Sequence, residues 1–222
     1  MDFMKILKSL EELVYEVMVM LVFYPRTLWL TFRHPQRMMD YADTELGDVV
    51  SEQYNDTLSP PIFLMICLAI SQVIEVAALG SNATAALPAF LRSTENLLGF
   101  RVLVFSLLPL AMSLRLLHGL KQPLNREALR TPFYSQCFVT APLAMLFGIS
   151  QSMRHLHVPY IDQAATVLLV LTLGWYIRQQ AFWFNAKLQV TKMRGWFIAI
   201  LMFALSLVLI VIFAGMFLLF FS

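Results

Sequence analysis

Charge is scarce in this chain. Lys, Arg, Asp and Glu together make up 14% of its 222 residues, where an ordinary soluble domain carries about 25%. The net charge of +2 is too small to suggest a nucleic-acid partner. Cysteine is nearly absent as well. Cys67 and Cys137 both fall in apolar stretches, where a thiol behaves as a small hydrophobe, so neither a disulfide nor a metal role is expected. Catalytic signatures are missing: there is no HExxH, no GxSxG and no glycine loop of the kind that cradles phosphate. Ser71, Ser106 and Ser206 lie in apolar runs, but all four histidines lie at or outside the ends of such runs, so a membrane-embedded serine nucleophile lacks a partner at its depth. An enzyme is not expected, and no cofactor is called for. Internal repeats are absent too, which leaves an inverted-repeat transporter unsupported. Glu11, Glu12 and Glu16 occupy the place where an uncharged signal-peptide core would begin, so no cleavable signal is expected. Asn55 and Asn82 open glycosylation-type triplets, matches short enough to arise by chance.

What the chain has in abundance is apolar sequence: 59% of its residues are hydrophobic and its mean hydropathy is +0.70. The clearest stretch is PPIFLMICLAISQVIEVAAL, residues 60 to 79, bearing one charge, Glu75. It has the ~20 residues a bilayer-spanning helix needs. Its paired prolines suit a helix start, because the first turn has no intrahelical use for their missing N–H groups. Further spans are predicted at about 97 to 118, at 132 to 150, at 160 to 184 and at 196 to 221. The sequence thus predicts an all-α polytopic fold of five transmembrane helices, residues 60 to 222. A segment of residues 1 to 59 precedes it, made of an amphipathic or re-entrant helix and an acidic cytoplasmic loop.

In that leading segment Leu7, Leu10, Val14, Val17, Met18 and Leu21 recur at helical spacing among Lys5, Lys8, Glu11, Glu12 and Glu16. The apolar run after Glu16 is broken at Pro25-Arg26. Residues 17 to 24 are too short to span, which predicts an interfacial or re-entrant helix anchored by Tyr24 and Trp29; a full extra span is the alternative. The loop from Arg33 to Ser59 carries Asp40, Asp43, Glu45, Asp48, Glu52 and Asp56. It reads as a solvated acidic face, or else as a docking surface for a basic partner or a weak divalent-ion site. Its spacing, with Gly47 alone for a turn, fits no EF-hand.

Orientation follows from the basic residues. Of the 16 Lys and Arg, all but Arg92, Arg101 and Arg154 fall on one side of the five spans. Positive residues stay cytoplasmic, so the N-terminus is expected inside and Ser222 outside.

The charges within the spans separate by depth. Glu75 lies roughly 21 Å along its helix from Pro61, within a hydrocarbon core about 30 Å thick, and Arg101 only about 6 Å in from Leu97 on the returning helix. The two share a level. Asp162 opens the fourth span on that side, with Arg154, His155 and His157 in the turn before it. One outer layer is therefore expected to gather these groups, as an ion pair holding the first two spans together or as a proton- or ligand-linked site. Two histidines at i, i+2 cannot share a helix face, so no metal site is assigned to them. Arg115 and Arg178, roughly 27 Å along their helices, are expected to snorkel to headgroups. Pro109 and Pro142, near mid-membrane on consecutive helices, are hinge candidates.

The run FYPRTLWLTFRHPQRMMDYA, followed by LSPPIFL and five spans, resembles the bacterial five-span proteins called permeases and, more widely, the Yip-type family. Tyr24, Pro25, Trp29, Pro35, Tyr41, Ser59, Pro60 and Pro61 carry the resemblance. It implies a polytopic protein associated with membrane organisation or transport. The DLYGP hallmark of the eukaryotic members is absent, so partnership with small GTPases is not implied. Two functions follow. One is a membrane-organising or transport-associated accessory subunit, meeting a protein partner through the N-terminal helix and acidic loop, with a homo-oligomer also compatible. The other is a small transporter built on Glu75.

Overall fold

The computed structural model describes residues 2–47, 54, 56–80, 87–156 and 158–221. Its long elements are seven α-helices: α1 (Asp2–Arg33), α2 (Pro35–Glu45), α3 (Pro60–Leu79), α4 (Thr94–Gly119), α5 (Arg126–Arg154), α6 (Ile161–Leu188) and α7 (Lys192–Phe221). A 3-10 turn, Ala89–Arg92, leads into α4. No strand occurs among the described residues. The protein is an all-α polytopic fold.

Five stretches are long and apolar enough to cross a bilayer: Leu7–Arg33, Pro60–Leu79, Thr94–Gly119, Arg126–Arg154 and Lys192–Phe220. This set differs from the expected one at two places. The N-terminal stretch belongs to it, because α1 runs unbroken through Pro25; a proline removes one hydrogen bond and bends a helix without having to end it when its neighbours hold the chain. The α6 stretch falls outside the set, since Asp162, Gln163, Arg178, Gln179 and Gln180 dilute its apolar run. Yet α6 is 28 residues long, about 42 Å, and short turns join it to α5 and α7, so it returns the chain between them.

Three of the helices, α4, α5 and α7, begin earlier than the hydropathy suggests. The α5 helix starts six residues before Pro132, where the Asn125 side chain accepts a hydrogen bond from the Ala128 amide at 2.7 Å and caps the first turn.

The centre of the bundle is α5. Of its most apolar window 67% is buried, against 33% for α3, 17% for α7 and 6% for α1. It packs on α2, α3, α4 and α6. Two apolar cores meet along it: one of Phe63, Leu64, Cys67, Phe138 and Ala144 towards α3, the other of Met112, Val139, Tyr176, Trp183 and Phe184 towards α4, α6 and α7. A helix shielded from lipid by its neighbours can carry polar and small residues, and α5 does: Ser135, Gln136, Thr140, Gly148, Ser150 and Ser152. Conversely α7, the most apolar span, is largely uncovered.

The leading segment is not packed apart from the bundle. Met38, Ala42 and Leu58 share the core of α3 and α5. What reads in sequence as an acidic loop begins as a helix, α2, laid across the end of α5. Beyond it, Asp48, Glu52 and Asn55 lie outside the described residues, as do Asn82 and Ser222. From Leu7 to Met18 α1 is exposed at every residue, and only its later part touches the bundle, with Thr27 and Thr31 fully buried.

Candidate functional site

Two polar layers stand at opposite ends of the bundle. The first lies where α3 ends and α4 begins. There Arg101 donates a hydrogen bond to the Glu75 carboxylate in a partly buried ion pair. One turn earlier, the Gln72 side-chain amide donates to the Thr94 carbonyl at 2.9 Å, fastening α3 to the first turn of α4. The Glu75–Arg101 pair borders a cavity of about 80 Å³, closed by Ser71, Phe105, Phe147 and Gly148, room for a few waters. Its wall is tight because α3 and α5 approach closely here: a Cβ on Gly148 would stand 1.8 Å from Ser71 Oγ.

Of the other residues expected in this layer, Asp162, Arg154 and His155 do not join the pair. Asp162 is exposed and forms no ion pair among the described residues; its backbone carbonyl accepts from Thr166 Oγ1 at 2.8 Å. Arg154 is exposed and donates to the same Thr166 hydroxyl at 3.3 Å, tying the end of α5 to the start of α6. His155 is exposed, and His157 lies outside the described residues. Pro109 and Pro142 are both buried within continuous helices, and Ser113 Oγ donates back to the Pro109 carbonyl at 2.6 Å. Bending at either proline therefore requires the core around it to repack.

The second layer was not anticipated. At the other end, Lys187 near the end of α6 bridges Asp40 and Asp43 of α2 at 2.8 and 2.6 Å, and Ser135 Oγ of α5 lies 2.7 Å from Asp43 and 2.8 Å from the Met39 carbonyl. Nearby, Tyr41 donates to Asp56 at 2.5 Å, Arg26 pairs with Asp56 at 3.2 Å, the Glu45 carboxylate accepts from the Tyr54 amide at 2.5 Å, and Thr27 Oγ1 accepts from the Leu58 amide at 3.2 Å. Burial, helped by the Asp56 carboxylate, pushes the Tyr41 phenol above its ordinary range, so it stays a donor. Asp40, Asp43, Glu45 and Asp56 thus each have a partner within the chain, while the side chains of Asp40 and Asp56 stay more than half exposed. The i, i+3 spacing of Asp40 and Asp43, which puts both on one side of a helix, was the signal available for this.

Deeper in the bundle Gln136 and Gln180, both fully buried, exchange amide hydrogen bonds at 2.9 and 2.5 Å across α5 and α6. The Tyr176 hydroxyl lies beside Thr140 and Gln180, and among the described residues neither it nor the Thr140 hydroxyl makes a hydrogen bond of good geometry. Tyr24, expected to anchor at the interface, instead aims its hydroxyl inward between Met145 Sδ (3.3 Å) and Cys67 Sγ (3.7 Å). Trp29 is 64% exposed. Among the described residues no group of three or more His, Cys, Asp or Glu side chains is placed to hold a metal ion.

Fold and polar layers together define an integral membrane protein whose buried polar groups bind helix to helix. Compared with protein-family models, curated proteins and solved structures, the chain matches none.

Proposed function

We propose that this protein is a membrane-organising or transport-associated accessory subunit. Its bundle is the anchor, and α1 is the arm that meets a protein partner. The observation that carries the reading is the exposure of α1 from Leu7 to Met18. Leu7, Leu10, Val14, Val17 and Leu21 repeat at alternating intervals of three and four, the spacing that seats one helix against another. Lys5, Lys8, Glu11, Glu12 and Glu16 flank them and offer a partner charges to match. With Asp40, Asp43, Glu45 and Asp56 already engaged within the chain, α1 is the better docking element than the acidic segment. The resemblance of residues 23 to 42 to the bacterial five-span and Yip-type proteins agrees with such a role and with a bacterial inner membrane, and the charge asymmetry favours the basic end in the cytoplasm.

A carrier centred on Glu75 has less to recommend it. The carboxylate is already paired, and the space beside it admits only a few waters. Native gels of mild-detergent extracts test the choice. The wild type and Glu75→Gln are expected to run as the same large species, and a variant with Leu10, Val14 and Val17 changed to Ser as a smaller one. A size unaffected by the α1 changes would reject the docking arm.

A further inference from the structure

The bend between α1 and α2 faces the last turns of α6 across an open cleft of about 620 Å³. Three guanidinium groups line it: Arg33 at the end of α1, Arg37 in the first turn of α2, and Arg178 on α6. No carboxylate lines it. All three arginines are exposed, and none forms an ion pair among the described residues. The carboxylates nearest in sequence, Asp40 and Asp43, are held by Lys187. Lys187 balances one of their two charges, and with three guanidinium groups and no carboxylate in its lining the cleft is positive overall.

Aromatic rings flank the guanidinium groups. Arg33 stands over Trp29 at 6.0 Å and Arg178 over Phe182 at 5.2 Å, while Phe32 packs on Trp175 at 5.5 Å. Contacts of this kind steady a guanidinium plane and leave its N–H edge free. The floor is fixed as well, because Gln36 Nε2 donates to the Gln179 carbonyl at 2.9 Å and lies 3.1 Å from its side-chain oxygen. Along α6, Arg178 is about 26 Å from Ile161, close to the edge of a hydrocarbon core about 30 Å thick. That is the level of lipid phosphates and of the aromatic belt.

We infer that this cleft binds the phosphate headgroup of an anionic phospholipid, with Arg33, Arg37 and Arg178 as the phosphate donors and the Trp29 and Phe182 rings against the glycerol and upper acyl carbons. Arginine forks pair with two phosphate oxygens at once, and two or three of them converging on one cleft distinguish a specific site from the general attraction of a basic surface. The site goes beyond the accessory role and does not depend on it.

The test uses the full chain in detergent, titrated with short-chain phosphatidylglycerol, short-chain phosphatidylcholine and inorganic phosphate by native mass spectrometry and calorimetry. Phosphatidylglycerol is expected to bind more tightly than either of the others. Each basic residue near a membrane surface contributes about a fivefold factor in affinity. Arg37→Gln, a change at an exposed and unpaired position, should therefore weaken binding roughly fivefold. The combined Arg33→Gln, Arg37→Gln, Arg178→Gln variant should bring phosphatidylglycerol down to the phosphatidylcholine level. Arg126→Gln with Arg130→Gln, outside the cleft, should leave it unchanged. Inorganic phosphate binding as tightly as the lipid would make the ligand a free anion and overturn the lipid assignment. Unchanged affinity in Arg37→Gln, or an equal loss in the Arg126/Arg130 control, would overturn the site.

Discussion

Glu75 and Arg101 show what a single pair of residues can hold. Both side chains are largely buried, and among the described residues each is the other's one ion-pair partner. Removing one leaves the other charged and poorly solvated, a change that costs ~3–5 kcal/mol for a buried pair, less where water reaches the site. Glu75→Ala and Arg101→Ala are each expected to lower the thermal stability of the detergent-solubilised protein, and the double replacement to recover part of the loss. Melting curves of the four forms give the coupling directly; strictly additive losses would show that the contact carries no stability. The same measurement on Glu75→Gln bears on the carrier alternative, since a transport carboxylate tolerates its neutral isostere without loss of stability.

This pair was legible in the sequence because depth along a helix follows from residue number alone. Asp162, placed at the same depth, is exposed because depth says nothing about which way a side chain points around the helix axis. Lys187 was overlooked for the opposite reason: as one basic residue in a row at a helix end it looked like a topology signal, and its partners lay more than 140 residues away, in a segment taken for a loop.

Among the elements, α5 and α1 depart most from their hydropathy. The clearest apolar run in the sequence is α3, but the centre of the bundle lies elsewhere. The structure gives that place to α5, whose Ser135, Gln136, Thr140 and Gly148 lower its mean hydropathy for the very reason that they face protein and not lipid. Close approach of α3 to α5 depends on Gly148, where any side chain meets Ser71. Gly148→Val is expected to destabilise the bundle by about 1–3 kcal/mol through overpacking. Adding Ser71→Gly, which clears the opposing atoms, should restore much of it. A melt that shows no rescue would mean the two helices are set apart by something other than this contact. For α1, the proline that reads as a break proves to lie within a continuous helix, because the buried Thr27 and Thr31 face on its C-terminal side is held to the bundle.

At the scale of the whole molecule, the charge asymmetry and the helix packing point to one arrangement. The α1–α2 bend, the end of α4, the start of α5 and the α6–α7 turn all gather at the end that carries Lys187 and its partners, and most of the basic residues lie in these segments. Reporter fusions after residues 125 and 190 are expected to report cytoplasm, and fusions after residues 88 and 156 the outside. A change of sides missing between residues 88 and 125 would break the bundle order. Fold class was readable from sequence, since it depends on composition summed over long stretches. The second polar layer and the arginine cleft were not, because they arise only when distant segments meet.

The claim on which the account rests is that α1 is a protein-docking arm, and photo-crosslinking in native membranes tests it most directly. A photoreactive residue is placed at Leu10, Val14 or Val17, and for comparison at Val208 or Val211 on the exposed face of α7. One discrete protein adduct is expected, of the same size from all three α1 positions, and lipid adducts alone from α7. Lipid adducts alone from α1, or the same protein adduct from α7, would contradict it.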